Sequence, residues 1–391
     1  MIIEKLKLKD FRNYGEMAVE PHPGVNILLG QNGSGKTNLL EAIHYCALGR
    51  SHRTSIDREV VRKGAGMAAC GVQLRKAHGR SDVAVKLTPG EARKKSVFLD
   101  RKRAPRLSDM MGQLQCVIFS PEDLMLVKDG PSVRRRFLDM MLSQMSTAYF
   151  VALQQYNKAL EQRNVLLRDA RKNGRCEVAM LDAFEQAMAT PCRVIIPLRR
   201  RMLRQLSRCA ADKYAAISGR PQEIFGVTYQ CCLDSDDDVE RRMLDMLRGH
   251  RREDIIRGTT GVGIHREDLL LTLSGREMKL FASQGQIRTA ALSLKLAQLE
   301  LFRVNTGENP VLLLDDVMSE LDMTRRTRLL REISGVQTFI TCTDESDLQG
   351  CREKRSYQVR VGEDGMASLT AISEGEAVER KPFVLEDPDF T

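Results

Sequence analysis

Tryptophan is absent from this 391-residue chain, and all aromatics together make up 5% of it. Recognition of single strands by stacking bases on aromatic rings is therefore poorly supported. The ten cysteines include no CxxC pair, and most stand among apolar residues, as Cys46, Cys116 and Cys342 do. Such usage reads as reduced, buried cysteine of a cytosolic protein, not as a disulfide framework or a zinc site; Cys231 and Cys232 are merely adjacent. No apolar run approaches the length of a membrane span. The opening MIIEKLKLKDF is broken by charge at once, so no signal peptide is expected there. Internal repeats and low-complexity segments are also missing.

What is present is a surplus of positive charge on an ordinary globular composition. Hydrophobic residues make up 42% and charged residues 29%, with a formal net charge of +9. Such a balance favours an anionic partner, nucleic acid before membrane surface, against the plain alternative of a merely soluble surface. Residues 2–9 alternate as a strand, and VNILL at 25–29 is a short buried strand. Helical spacing follows from Asn38 to Leu48. Several short strands recur between 67 and 120. Helix is expected from Ser132 to about Asp169 and from about Val178 to Ile217, with breaks at Pro191 and Pro197. A strand-like piece spans Phe225 to Leu233. The fold class is α/β, and the expected domains are 1–130 and 258–391 forming one nucleotide-binding head, with 131–257 as a mainly helical insertion. The stretch from Ser373 reads as a polar tail.

The strongest motif is Gly30-Gln31-Asn32-Gly33-Ser34-Gly35-Lys36-Thr37, followed by Asn38. It fits G-x-x-x-x-G-K-[ST] between a strand and a helix, the context that the pattern requires. Chance alone produces the pattern in roughly one chain in a hundred of this length, and the correct flanks lengthen those odds. Glycines let backbone N–H groups close around phosphate, and the helix N-terminus adds a favourable dipole. Lys36 is expected at the β/γ-phosphates of ATP and Thr37 on Mg²⁺. A second motif, Val311-Leu-Leu-Leu-Asp315-Asp316, is a buried strand ending in two acids. Asp315 is the expected metal ligand and Asp316 the catalytic group that orients or deprotonates water.

Ser283-Gln284-Gly285-Gln286 precedes a helix with Ile287, Ala290, Ala291, Leu294, Ala297 and Leu301 on one face. It offers a second anion-ready helix start, although Ser283 alone is more simply an N-cap. One ATP does not need two phosphate loops from one subunit; ABC-type ATPases use the second across a dimer. Ser319-Glu320-Leu321-Asp322 resembles the D-loop of such dimers. Arginines cluster at 134–136 and 199–201, with Arg204 and Arg208 beyond. Arg200, Arg204 and Arg208 share a helix face and are candidate phosphate contacts on DNA, against a solvated face or internal ion pairs. His265 reads equally as a phosphate or interface residue and as a structural histidine.

FRNY at 11–14, the GQNGSGKTNLLEAI loop, SPED at 120–123, RRRFLD at 134–139, HREDL at 265–269, SQGQ at 283–286 and LLLDDVMSELD at 312–322 together resemble the RecF family. The blocks span most of the chain. The wider group includes the SMC proteins; here a short insertion without sustained heptads resembles the compact branch. The resemblance implies an ABC-type P-loop ATPase head with an inserted, mainly helical second lobe. It implies a cytoplasmic, nucleoid-associated protein that ATP dimerises on DNA near single-strand gaps. Its implied partners are RecR, with RecO and RecA in the same pathway, and no membrane. Arg12 and Asn13 would lie near the nucleotide. Three departures stand out. Thr338 to Asp344 offers hydroxyls where transporter ATPases have a switch histidine, and Gln115 is the nearest candidate for a Q-loop glutamine. Asp316 in place of glutamate implies slow hydrolysis. A transporter-type ATPase subunit and a small-molecule P-loop kinase are the competing readings; the first lacks its histidine, and the second leaves SQGQ and SELD without a role.

Overall fold

A computed structural model describes residues 1–91, 94–175, 177–343 and 354–372. Asp344 and the tail from Ser373 lie outside them. The chain divides into two compact units. One comprises Met1–Asp123, Ala216–Ser218 and Lys295 onward; the other comprises Leu124–Ala215 and Gly219–Leu294.

The first unit holds two six-stranded sheets. An antiparallel sheet, ordered β2-β1-β4-β5-β6-β7, is built from β1 (Ile2–Phe11), β2 (Tyr14–Val19), β4 (Ala68–Lys76), β5 (Gly79–Leu87), β6 (Lys95–Leu99) and β7 (Lys102–Arg103). A register shift against β4 between Ile3 and Lys5 lets Ile3 share the buried face with Leu6 and Leu8 despite the odd spacing. The other sheet is ordered β15-β14-β3-β13-β12-β8. It contains β3 (Val25–Leu29), β8 (Cys116–Phe119), β12 (Val311–Leu314), β13 (Thr338–Cys342), β14 (Lys354–Val361) and β15 (Ala367–Ala371). All its neighbours run parallel except β14 and β15. β8, β12 and β13 are buried along their whole length, as strands covered on both faces are. Helix α1 (Lys36–Leu48) packs on β1, β4 and β5 of one sheet and on β8 and β13 of the other. It is therefore buried almost all round, Glu41 and His44 included.

The second unit is mainly helical. It carries α2 (Met125–Lys128), α3 (Pro131–Met145), α4 (Thr147–Asn173), α5 (Val178–Ser218, whose last three residues count with the first unit), α6 (Val239–Gly249), α7 (Arg251–Arg257) and α8 (Met278–Phe281). A small antiparallel sheet β11-β10-β9 joins them, with β9 (Phe225–Gln230), β10 (Asp268–Leu273) and β11 (Arg276–Glu277). Because β10 pairs with β9, the stretch 258–294 packs in this unit, whereas the expected domains place it in the head. Helix α9 (Gln284–Thr306) begins here and ends in the first unit, which also holds α10 (Met323–Glu332).

Three helical expectations need correction. The single helix from Ser132 to Asp169 is two, α3 and α4, because Ser146 leaves helical geometry and caps α4 by accepting from the Tyr149 N–H. Pro191 and Pro197 do not break α5, which is continuous; Met188, Ala189, Cys192, Ile195 and Ile196 are fully buried beside them, and that packing outweighs the lost backbone bonds. The apolar stripe of α9 is wider than expected. Leu292, Ser293, Lys295, Leu296 and Leu299 are buried as well, with the Lys295 ammonium held by the Ile118 carbonyl at 2.9 Å and by Asp123 at 2.7 Å.

Candidate nucleotide site

In a parallel sheet, side chains converge at the carboxyl ends of the strands. Here the loop Gly30–Gly35 leaves the end of β3, Asp315 and Asp316 leave β12, and Thr341 lies near the end of β13. Gly35 has φ +109°, and a Cβ there would stand 2.7 Å from the Asn13 Oδ1. A Cβ on Gly30 would stand 2.5 Å from the Val359 carbonyl oxygen. Both positions accept only glycine, one for backbone geometry and one for close approach.

Lys36 is buried and donates to the loop carbonyls of Gly30 at 2.6 Å and Gln31 at 2.9 Å. Burial lowers its pKa, against the opposing pull of Asp316 and Asp315. The Thr37 hydroxyl donates to Asp315 Oδ1 at 2.9 Å, and the Thr341 hydroxyl donates to the same oxygen at 2.9 Å. Burial raises the Asp315 carboxyl, while the two threonines oppose the shift. The neighbouring Asp316 is exposed, takes φ +55°, and donates its N–H to the Thr341 Oγ1 at 2.8 Å. Ser319 donates to its Oδ1 at 3.2 Å. Asn32, Gly33, Lys36, Thr37, Asn38, Arg53, Asp315, Asp316 and Thr341 line one cavity of about 320 Å³. The Ser34 hydroxyl is buried without a hydrogen-bond partner among the described residues. An orphaned donor in this loop fits a phosphate oxygen, and the hard oxygens of Thr37 and Asp315 fit Mg²⁺.

Arg12 and Asn13 stand beside the loop. The Asn13 side chain donates to the Ser34 carbonyl at 3.2 Å and accepts from Asn38 at 2.8 Å. Arg12, at φ +56°, holds the fully buried Glu41 with bonds of 2.6 and 2.8 Å, and it also reaches the Glu59 carbonyl. Burial would raise Glu41; the bonds from Arg12 and Ser51 outweigh it and hold the carboxyl below its ordinary range. Arg12, Asn13, Arg58, Arg62 and Lys63 line a second cavity, which shares Asn38 and Arg53 with the first. Arg53 and Glu41 were missed by the motif reading. Arg53 lies in a loop after α1, where its guanidinium bonds the Asn38 amide oxygen at 2.9 Å and stands 3.6 Å from Glu41.

Gln115 does not fit a Q-loop. It precedes β8, at the amino end of a strand of which the carboxyl end faces the site, and four residues span about 13 Å. Its side chain accepts from Thr306 at 3.0 Å. His265 is held on both ring nitrogens, by the Tyr156 hydroxyl and the Thr260 carbonyl. Ser283 and Gln286 form a reciprocal cap on α9: the Ser283 N–H donates to Gln286 Oε1 at 2.9 Å, and the Gln286 N–H donates to Ser283 Oγ at 3.3 Å. Ser283 and Gln284 are exposed, and Gly285 accepts from the Thr289 hydroxyl.

The arginine clusters separate by function. Arg134 forks onto Asp268, and Arg199 is buried among Tyr149, Asp139, Glu267 and the Ile264 carbonyl. Arg200 is spent on the Leu233 and Asp234 carbonyls and on Asp236. Of the candidate DNA contacts, Arg204 and Arg208 are exposed; Arg200 is not a free member of that face. Neighbouring helix residues point in different directions, so a run of arginines is not one patch.

A phosphate loop and an acid-ended strand in a parallel sheet define a P-loop ATPase head. The family model described as the RecF/RecN/SMC N-terminal domain matches residues 2–368. The chain belongs to this family, and within it to RecF. It is 40% identical to the DNA replication and repair protein RecF of Acetivibrio thermocellus, over 88% of this chain and 94% of that one. It is 41% identical to RecF of Lactobacillus delbrueckii subsp. bulgaricus, over 88% and 91%. A solved structure of the recombination mediator protein RecF with ATP, from the RecFOR pathway, aligns with a TM-score of 0.85 at 33% identity, covering 95% of this chain and 98% of that one. An SMC head bound to the C-winged helix domain of ScpA aligns at 0.57 and 17% identity and shares the fold. The transporter-type alternative is not favoured by these relatives. No helix among the described residues is long and apolar enough to cross a membrane.

Proposed function

We propose that this chain is an ATP-dependent DNA-binding protein of replication and recombinational repair in which ATP acts as a switch. The observation that carries the reading is the Thr37–Asp315 hydrogen bond of 2.9 Å, which joins two motifs 278 residues apart at the mouth of the phosphate loop. The loop N–H groups and Lys36 bind the phosphates, and Lys36 gives up its two carbonyl partners to do so. Thr37 and Asp315 would hold Mg²⁺, which supplies charge neutralisation at the phosphates. Asp316 orients the attacking water and accepts its proton; its short arm makes hydrolysis slow. Arg12, Asn13 and Arg53 wall the nucleoside end.

The finer reading follows the family resemblance. Two copies close on two ATP molecules, and Ser283–Gln286 of each meets the γ-phosphate held by the other. The dimer binds duplex DNA and junctions beside single-strand gaps, hydrolysis releases it, and it works with RecR, RecO and RecA in the cytoplasm. The test is Lys36→Met by calorimetry. Loss of one or two charge-assisted bonds, each about 1.5–3 kcal/mol, should weaken ATP binding by at least about tenfold. Parent affinity would overturn the reading.

A further inference from the structure

We infer that Cys231, Cys232 and Glu267 form a zinc-binding site in the second unit. The strand register builds it. Gln230 of β9 pairs with Asp268 of β10, so one step further Cys231 stands opposite Glu267. Both thiols donate to a single carboxylate oxygen, Glu267 Oε1, at 3.2 Å from Cys231 and 3.1 Å from Cys232. The Cys232 N–H adds a third bond at 3.2 Å. The two sulfurs and the carboxylate oxygen all lie within 4.8 Å of one another. A tetrahedral ion with Zn–S bonds of about 2.3 Å needs such a cluster.

The surroundings fit a cation held by thiolates. The other oxygen of Glu267 is fixed by Arg199 at 2.5 Å and by the Tyr229 hydroxyl, which aims Oε1 at the sulfurs. Binding exchanges two S–H protons for one divalent ion: Zn²⁺ plus two thiols gives the zinc dithiolate and two released protons. Two thiolates and the carboxylate leave the filled site at −1, and Arg199, which Glu267 shares with Asp139, together with Arg200 on the cavity beside Cys231 offsets that charge. Cys231 also lines a cavity of about 580 Å³ with Tyr229, Arg204 and Arg208, which gives an entry path and room for a water as fourth ligand. Thiolates select zinc over the hard cations of the nucleotide site. No CxxC spacing announces the cluster, because its third member, Glu267, comes from the residue before β10, far along the chain.

The test uses the full-length, reduced, metal-free protein without nucleotide, with Zn²⁺ alone as probe in competition with a chromogenic chelator. One ion per chain should bind, more tightly as pH rises, and Co²⁺ should give a thiolate charge-transfer band. Cys231→Ser and Cys232→Ser should each weaken binding at least about tenfold, and Tyr229→Phe, which removes one of the two bonds that fix the carboxylate, should weaken it by about tenfold with both thiols in place. Cys209→Ser should not change it. Zn²⁺ should also shield Cys231 and Cys232 of the parent protein from alkylation, read by peptide mass, so the result does not hang on a variant's folding. No uptake by the parent chain, uptake that survives in the double serine variant, or equal alkylation with and without Zn²⁺ would overturn the site.

Discussion

Asp316 sits in left-handed backbone, a conformation that aspartate and asparagine tolerate better than most residues. Asparagine can therefore replace it without backbone strain, and the change isolates the carboxylate's chemistry. Asp316→Asn should lower hydrolysis by about 10²–10⁴-fold while ATP affinity stays within a few-fold, because Lys36, Thr37 and Asp315 are untouched. Single-turnover hydrolysis beside calorimetry measures both; hydrolysis at the parent rate would remove Asp316 from the mechanism. At this scale the sequence was legible where the chemistry is local. Gly30 to Asn38 and Asp315-Asp316 come from contiguous patterns, and Asn32, Gly33, Gly35 to Asn38, Asp315 and Asp316 line one cavity. Glu41 was not legible. Inside GKTNLLEAI it reads as an ordinary helical glutamate, and its burial against Arg12 exists only because α1 is covered by two sheets. The same holds for Glu267, one residue within HREDL, which serves Arg199, Tyr229 and both cysteines.

At the scale of elements, α9 poses the sharpest question. Its start carries a cap that accounts for Ser283 and Gln286 in each chain by itself, and the proposed function asks the same residues to meet a second chain's phosphate. Two substitutions separate the roles. Ser283→Ala removes the cap and should cost about 1 kcal/mol in denaturant unfolding. Ser283→Asp keeps a capping oxygen but sets a negative charge against phosphate; it should leave stability within about 0.5 kcal/mol and abolish ATP-dependent dimers in sedimentation. Dimers formed by the aspartate variant as by the parent would confine Ser283 to capping. Strands such as VNILL were legible from their apolar runs. The Ser146 break, the unbroken α5 and the placement of 258–294 were not. Each is decided by packing or pairing with residues far along the chain, as β10 with β9.

Across the whole molecule, buried histidines predict how stability responds to acid. Burial lowers His44 well below its ordinary value and takes His52 and His265 to about 4. The unfolded chain binds these protons near pH 6.5, whereas the fold refuses them. Stability is therefore fully present above about pH 6.5 and is lost as pH falls toward 4, by up to about 1.4 kcal/mol per pH unit for each histidine. Unfolding free energies measured between pH 7 and 5 should fall, and His265→Gln should make the slope shallower by about one proton. A flat profile would mean that these rings take up protons in the fold as readily as in the unfolded chain.

The central claim, that ATP converts the protein into a DNA-holding dimer, is tested most directly by titrating duplex DNA at several salt concentrations, with and without a non-hydrolysable ATP analogue. Two copies neutralise about twice as many phosphates as one, and each further phosphate steepens log affinity against log salt by about 0.9. Binding with the analogue should be tighter and steeper. Arg204→Ala with Arg208→Ala should flatten the slope by about 0.9 for each phosphate no longer neutralised, with similar losses of affinity on unrelated sequences, because phosphate carries no base information. Equal affinities and equal slopes with and without the analogue would contradict the account.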